Sequence, residues 1–162
     1  NRKQADGPVA REAVDLVELV ENVVAAHSLP ARAKLMHTEL TLQARRCLAE
    51  PALLISVMDN LYSNAVHYGA ESGNIRIHSY RHGEQVRIDV ANSGEPIPAA
   101  EKNMIFEPFY QGSHQRKGAV KGSGLGLSIA RDCVRQMQGE LSLVDAPAGQ
   151  VCFRITLPSA PE

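Results

Sequence analysis

A chain of 162 residues, 44% apolar and 22% charged, can bury one real hydrophobic core and has the make-up of a single globular domain. The net charge of −1 argues against a nucleic-acid binder, which would carry a basic excess, and no run approaches the ~18 apolar residues of a membrane span or resembles a signal peptide. Three cysteines (Cys47, Cys133 and Cys152) are odd in number and lack CxxC spacing, which speaks against a disulfide framework or zinc site and fits a reducing cytosol.

Residues 1–11 are polar and broken by Gly7-Pro8, so they read as a linker ahead of a domain over 12–162. The first residue is Asn rather than Met, which leads us to expect a fragment of something larger. Asp15 is placed to cap a helix whose apolar residues Leu16, Val17, Leu19, Val20, Val23 and Val24 recur at helical spacing to about Leu29-Pro30. Met36 to Leu42 alternates as a strand, and Cys47-Leu48 is a second short extended piece. Pro51 suits the first turn of a long helix, with Leu54, Val57, Met58, Leu61 and Ala65 as its buried stripe.

After Gly69 and Gly73, two alternating runs over 74–81 and 85–91 meet at His82-Gly83-Glu84, a hairpin signal. Residues 93–123 contain no long periodic segment, and a loop of that length is usually functional or mobile. The next helix is expected to bury Leu125, Ile129, Ala130, Cys133, Val134 and Met137 and to end at Gly139. Strands over 140–144 and 151–157 close the chain. The sum is an α+β two-layer sandwich, a mixed sheet of about five strands with three helices on one face.

Lys121-Gly122-Ser123-Gly124-Leu125-Gly126-Leu127 leads directly into that last helix. Glycines allow close approach to the main chain, and a helix start presents free N–H groups and a partial positive charge, so the combination suits phosphate. The spacing of Gly122, Gly124 and Gly126, following a loop, excludes the dinucleotide fingerprint. In the second long helix Asn60, Asn64 and His67 lie close to one face beside the apolar stripe, with Tyr68 at its edge. Amide oxygens are hard ligands that suit Mg²⁺, although such a pair can equally hydrogen-bond a neighbouring loop. Asn92-Ser93-Gly94 closes the hairpin as a turn whose amide could read the edge of a base. Phe106 and Phe109 bunch on the loop, either docking on the core or stacking on a ligand, and His114, Arg116, Lys117 and Lys121 form a basic cluster near the glycines.

The order and spacing of these pieces carry the assignment. Asn60-Leu-Tyr-Ser-Asn64-Ala-Val-His67-Tyr68, then Asn92-Ser-Gly94, then Phe106-Glu-Pro-Phe109, then Gly122-Ser-Gly124-Leu-Gly126-Leu127 resembles the N, G1, F and G2 boxes of the ATP-binding domain of bacterial sensor histidine kinases. This is the GHKL superfamily shared with gyrase, Hsp90 and MutL, with its Bergerat fold. The resemblance runs from about Val14 to Pro158, and the loop and following helix look closest to the enterobacterial GlrK/QseE type.

The resemblance implies ATP and Mg²⁺ as ligands, with Asn64 on the metal and Asn60 beside it. It implies a nucleotide pocket of Asn60, Asn64, His67, Tyr68, Asn92, Gly94, Ile97, Phe109, Lys121, Gly122, Ser123, Gly124, Leu125, Gly126 and Leu127 under a lid over 95–121. Asn92 stands where the family usually has Asp, Pro96 replaces a glycine, His67 replaces Lys or Arg, Gln111 sits where many members have Arg, and Gln150-Val151 replaces Gly-Thr. Hydrolases of the superfamily place a Glu general base where this chain has Asn60, and an amide cannot take a proton at neutral pH. The expected activity is therefore transfer of the γ-phosphoryl group to a histidine supplied elsewhere, since none of the six histidines here has the phosphoacceptor pattern. A gyrase-type ATPase and a degenerate nucleotide-binding module are the alternatives. The implied partners are the protein's own dimerisation and phosphoacceptor helices and a cognate response regulator, of the σ54-activator type if the GlrK/QseE likeness holds. The fragment is expected to be a monomer. The full protein is expected to be a homodimeric inner-membrane sensor with this domain in the cytoplasm, and no nucleic acid is expected as a partner.

Overall fold

The computed structural model describes residues 9–108, 110 and 126–161. Its first element is a strand that periodicity does not reveal: β1 (Glu12–Asp15) pairs antiparallel with β3 (Arg46–Ala49), Val14 opposite Cys47. Asp15 then caps α1 (Leu16–Ala26), its Oδ1 accepting from the amides of Val17 (2.9 Å) and Glu18 (3.2 Å). The helix expected to reach Leu29-Pro30 breaks at His27, and α2 (Ser28–Ala33) follows. Pro30 is the physical reason. It has no N–H to continue the ladder of α1, but as the third residue of a new helix it needs none.

The main sheet has the order β2 (His37–Leu42), β4 (Asn74–His82), β5 (Gln85–Ser93), β7 (Gln150–Pro158), β6 (Glu140–Val144). β2 and β4 run parallel, and α3 (Pro51–Tyr68) lies in the connection between them; the remaining pairs are antiparallel. Ile75, Ile77, Val86, Ile88, Val90, Leu141, Phe153, Ile155 and Leu157 are all buried on one face, under α1, α3 and α4 (Gly126–Gln136). Buried Ser79 is satisfied by donating to the Ala44 carbonyl at 2.5 Å. The opposite face carries a polar row in which Arg154 holds Asp89 through two bonds of 2.8 and 3.1 Å, with the Tyr80 hydroxyl on the same carboxylate. The expected two-layer α+β sandwich is therefore present, with a two-stranded β1–β3 sheet and the short α2 added to it.

All five stripe residues of α3 are buried: Leu54, Val57, Met58, Leu61 and Ala65. Two expectations for α4 are corrected. Ile129 is 44% exposed, because Ala130, Cys133 and Val134 take the inward face and Ile129 lies beside them rather than among them. The helix ends at Gln136, and the residue in left-handed conformation behind it is Gln138 (φ 66°), whereas Gly139 donates its amide back to the Val134 carbonyl at 3.0 Å. Gly139 is required for a different reason: a Cβ there would run into the carbonyl oxygen of Thr156. The three cysteines are free and buried, and burial pushes the Cys47 thiol up to about 12, so it stays a neutral core group. Gly139→Ala should lower stability by about 1–3 kcal/mol through displacement of β7, measured by urea denaturation. A variant as stable as the parent would contradict this reading of the α4–β6 turn.

Candidate functional site

α3 buries one stripe, so its polar residues must lie on its flanks. Asn60, Ser63 and Asn64 sit half-buried on the flank toward α4. The Asn60 side chain donates Nδ2–H to the Ser56 carbonyl at 3.1 Å, which fixes the amide along the helix. Its Oδ1 then faces the first residue of α4: a Cβ added to Gly126 would lie 3.1 Å from that oxygen. Asn64 follows one turn on, about 6 Å along the axis. Among the described residues no hydrogen bond occupies its amide.

The far end of α3 is held by a residue with no sequence signature. Lys34 donates from Nζ to the carbonyl oxygens of Val66 (2.8 Å), His67 (2.9 Å) and Gly69 (2.8 Å), three of the acceptors a helix C-terminus leaves open. Burial lowers the Lys34 pKa, while nearby Glu71 opposes that shift. The clamp sets where α3 stops. The exposed His67 ring there meets Tyr68 edge-on at 4.4 Å, and Tyr68 is half-buried with its hydroxyl pKa raised by burial, so it remains a hydrogen-bonding phenol at neutral pH.

The chain then turns through residues 69–73, stitched to the end of β5 by Ala70 N to Ser93 O (2.9 Å) and Asn74 N to Ser93 Oγ (2.8 Å). Asn92 is 8% exposed, one of only two buried polar residues among those described. Its Nδ2 donates to the Ser93 carbonyl at 3.0 Å, which leaves Oδ1 as the acceptor. On its strand neighbours Asn92 lies opposite Ile75 and Val151. Gly94 donates to the Gly149 carbonyl at 2.9 Å, and a Cβ at Gly94 would come within 3.2 Å of the Tyr68 carbonyl and 3.3 Å of Asn92 Nδ2. Tyr68, Asn92 and Gly94 thus converge at one end of α3, and Asn60 with Gly126 lies further back along the same helix.

Ile97 is half-buried against the core, and Leu127 packs there from the start of α4. Phe106 is half-buried and docks against the core. It meets Phe153 edge-on at 6.1 Å, and the Arg131 guanidinium lies 4.6 Å above its ring. Arg131 also donates to Glu140 at 3.3 Å, so one side chain joins the loop, α4 and β6. Phe109, Lys121, Gly122, Ser123, Gly124 and Leu125 lie outside the described residues, as does the part of the 95–121 lid over 111–121. No group of three or more His, Cys, Asp or Glu occurs among the described residues that could hold a metal. Among the described residues the hard donors on this flank of α3 include the amide oxygens of Asn60 and Asn64.

A family profile described as histidine kinase-, DNA gyrase B-, and HSP90-like ATPase matches residues 49–161. The sensor histidine kinase GlrK of Escherichia coli K12 is 71% identical over 160 residues, which is 99% of this chain and 34% of that protein, so the chain spans about a third of that relative. The solved catalytic domain of histidine kinase ThkA in a nucleotide-free form superposes with a TM-score of 0.81 at 29% identity, over 94% of this chain and all of the other. ThkA in complex with response regulator protein TrrA matches at a TM-score of 0.76 and 27% identity, over 93% of this chain and 42% of that one. No helix among the described residues is long and apolar enough to cross a membrane.

Lys34→Met should cost about 1–3 kcal/mol of stability, the weight of charge-assisted bonds left unmade. It should also speed amide exchange at Gly69 and Ala70 ahead of the sheet; uniform exchange across the domain would argue against a local clamp. Glu140 supplies a pH test. Burial pushes its carboxyl up, but the hydrogen bonds and charges of Arg135 and Arg131 outweigh that and hold it below the ordinary 4.5. Its folded pKa is lower than its unfolded one, so the unfolded chain takes the proton first and the pairing is lost as pH falls below about 4.5. Denaturation midpoints in Arg131→Ala should fall less steeply through that acid window than in the parent.

Proposed function

Because the chain belongs to the histidine kinase-, DNA gyrase B- and HSP90-like ATPase family, we propose that it holds Mg-ATP along α3 and donates the γ-phosphoryl group to a histidine on a separate dimerisation and phosphoacceptor domain. The domain is of the sensor-histidine-kinase catalytic type. The observation that carries the transfer reading is the position of Asn60, its Oδ1 aimed at the first residue of α4 and its Nδ2 tied to Ser56. Where the hydrolases of the superfamily place a carboxylate base, this chain has an amide that cannot accept a proton. Such a site can position a phosphoryl donor without activating water, and phosphoryl transfer depends mainly on positioning and charge stabilisation.

In this reading Asn92 Oδ1 accepts the adenine amino group, Gly94 leaves room for the ring, and Tyr68 packs beside it. The same role extends to His67 and Ile97 at the pocket rim, to Phe109 and Lys121 on the lid, and to Gly122 through Leu127 around the phosphates. Mg²⁺, when bound, neutralises phosphate charge. The Asn64 amide, free of hydrogen bonds among the described residues, fits a hard cation, and Asn60 stands one turn before it. Residues 1–11 then join the domain over 12–162 to the phosphoacceptor helices, through which the full protein dimerises while this domain remains a monomer. The next acceptor is an aspartate of a response regulator, by analogy with the regulator-bound relative, and of the σ54-activator type by the GlrK/QseE likeness. The domain works on the cytoplasmic side of an inner-membrane sensor.

Asn64→Ala should weaken Mg-dependent binding of a non-hydrolysable ATP analogue at least about tenfold in titration calorimetry, the scale of one lost charge-assisted contact. Unchanged affinity would remove Asn64 from the metal. The parent domain, mixed with radiolabelled ATP and a separately supplied phosphoacceptor domain, should label the acceptor histidine while releasing little inorganic phosphate. Steady phosphate release without transfer would instead favour the ATPase reading, and no nucleotide binding at all the degenerate module.

A further inference from the structure

The flank of α3 turned away from Asn60 and Asn64 carries Ile55 and Asp59, again one turn apart. Between that flank, α1 and β1 runs an open groove of about 440 Å³. Its floor is apolar, built from Leu19 and Val23 of α1 and from Ile55, which is 48% exposed and so ranks among the few large aliphatic side chains left in solvent. Its rim is acidic, with Glu12 and Glu18 at one end and Asp59 at the other, and no Lys or Arg is among the described residues that line it. Asp15, also lining the groove, adds a fourth carboxylate while capping α1. Among the described residues Glu12 and Glu18 have no ion-pair partner, and only Asp59 is engaged, sharing a 2.6 Å hydrogen bond with His27 Nε2.

We infer that this groove docks a cationic amphipathic helix of a partner protein. A trough between two helices accepts a third by ridge-into-groove packing, and apolar residues at i, i+3, i+4 and i+7 of the incoming helix would cover Leu19, Val23 and Ile55. Charge selects the class of occupant. Although His27 meets Asp59 and Arg46 stands opposite Asp15 across the β1–β3 pair, Glu12 and Glu18 have no ion-pair partner among the described residues, so the rim repels anionic lipid and nucleic acid and attracts Lys or Arg flanking an apolar stripe. The groove and the Asn60/Asn64 flank are different sides of one rigid helix, so the partner and a ligand at the candidate site do not compete for the same surface.

The probe is a fluorescein-labelled 18-residue helix with Leu on one face and Lys on the other, titrated with the 162-residue chain and followed by anisotropy. Binding should weaken steeply with salt, as expected for rim charges. It should fall about tenfold or more in Glu12→Lys/Glu18→Lys and in Ile55→Arg. Circular dichroism of both variants controls for folding. As a second readout that does not depend on variants, methyl NMR of the parent should show peptide-induced shifts at Leu19, Val23 and Ile55 and none at Leu127. A peptide with Ser in place of Leu should bind poorly despite equal charge, because the floor would be left uncovered. Affinity unchanged by the substitutions, shifts confined to the Asn60 flank, equal binding of the Ser peptide, or preferential binding to phosphatidylglycerol vesicles or RNA would each overturn the inference.

Discussion

The fold depends on the seating of one helix. Leu54, Val57, Met58, Leu61 and Ala65 form a stripe with no solvent exposure above 3%, pressed on the sheet between α1 and α4. Burial of that stripe fixes the rotation of α3 about its axis, and with it every polar residue the helix carries. One flank receives Asn60 and Asn64, the other Ile55 and Asp59. Rotating the helix by one position would sink an amide in the core and lift an aliphatic side chain into water, a change of several kcal/mol in the wrong direction. Which flank of α3 the candidate site occupies is thus a consequence of core packing.

Helix rotation alone does not define a site, because the ends must also stop in the right place. At its start, α3 has Pro51 in the first turn and Glu50 accepting from the Leu53 amide at 3.0 Å. At its end, Lys34 gathers three carbonyls that would otherwise face partial burial unpaired. The close packing behind it is unforgiving: a Cβ at Gly69 would collide with the Met36 side chain and sit 2.5 Å from the Ala65 carbonyl. Gly94 meets the Tyr68 carbonyl on the other side of the same turn. Two glycines and one lysine, far apart in sequence, bring the end of α3 against the end of β5.

These elements differ in how visible they are before folding. The α3 stripe, the Asn60/Asn64 pair, the 74–93 hairpin and the last two strands follow from local periods of 3.6 and 2, so they can be read residue by residue. Lys34 cannot, since a lone lysine after a short helix has no period and its partners lie more than thirty residues away. β1 is four residues with Val14 alone buried, too short to show alternation and recognisable only from its pairing with β3. The parallel β2–β4 pairing is equally non-local. Ile129 and Gln138 show the opposite failure, where a local rule gives a definite answer and tertiary packing prefers another. Met137 fills the site below α4 with no exposure, so Ile129 is not needed inward; Gly139 is reserved for contact with Thr156, so Gln138 takes the positive φ.

Among the positions at which this chain departs from patterns within its superfamily, Asn92 and Val151 are adjacent in the fold, and together with Asn60 they share a chemical direction. Under the proposed reading Asn60 stands where the hydrolases place a base, Asn92 where the family usually has an acid, and Val151, which pairs directly with Asn92 across the β5–β7 ladder, where it usually has a hydroxyl. Each replaces a group that can be charged or can donate by one that is neutral or cannot. The buried Asn92 avoids the desolvation cost of a carboxylate at 8% exposure, and its own amide is satisfied by the Ser93 carbonyl rather than by a threonine on β7. If Asn92 reads the adenine as proposed, the cost in ligand recognition is one weaker acceptor. Under the proposed reading that trade suits a domain that must retain its phosphoryl donor until an acceptor histidine arrives. A site with fewer fixed charges and no base binds less tightly, and it also gives water less help.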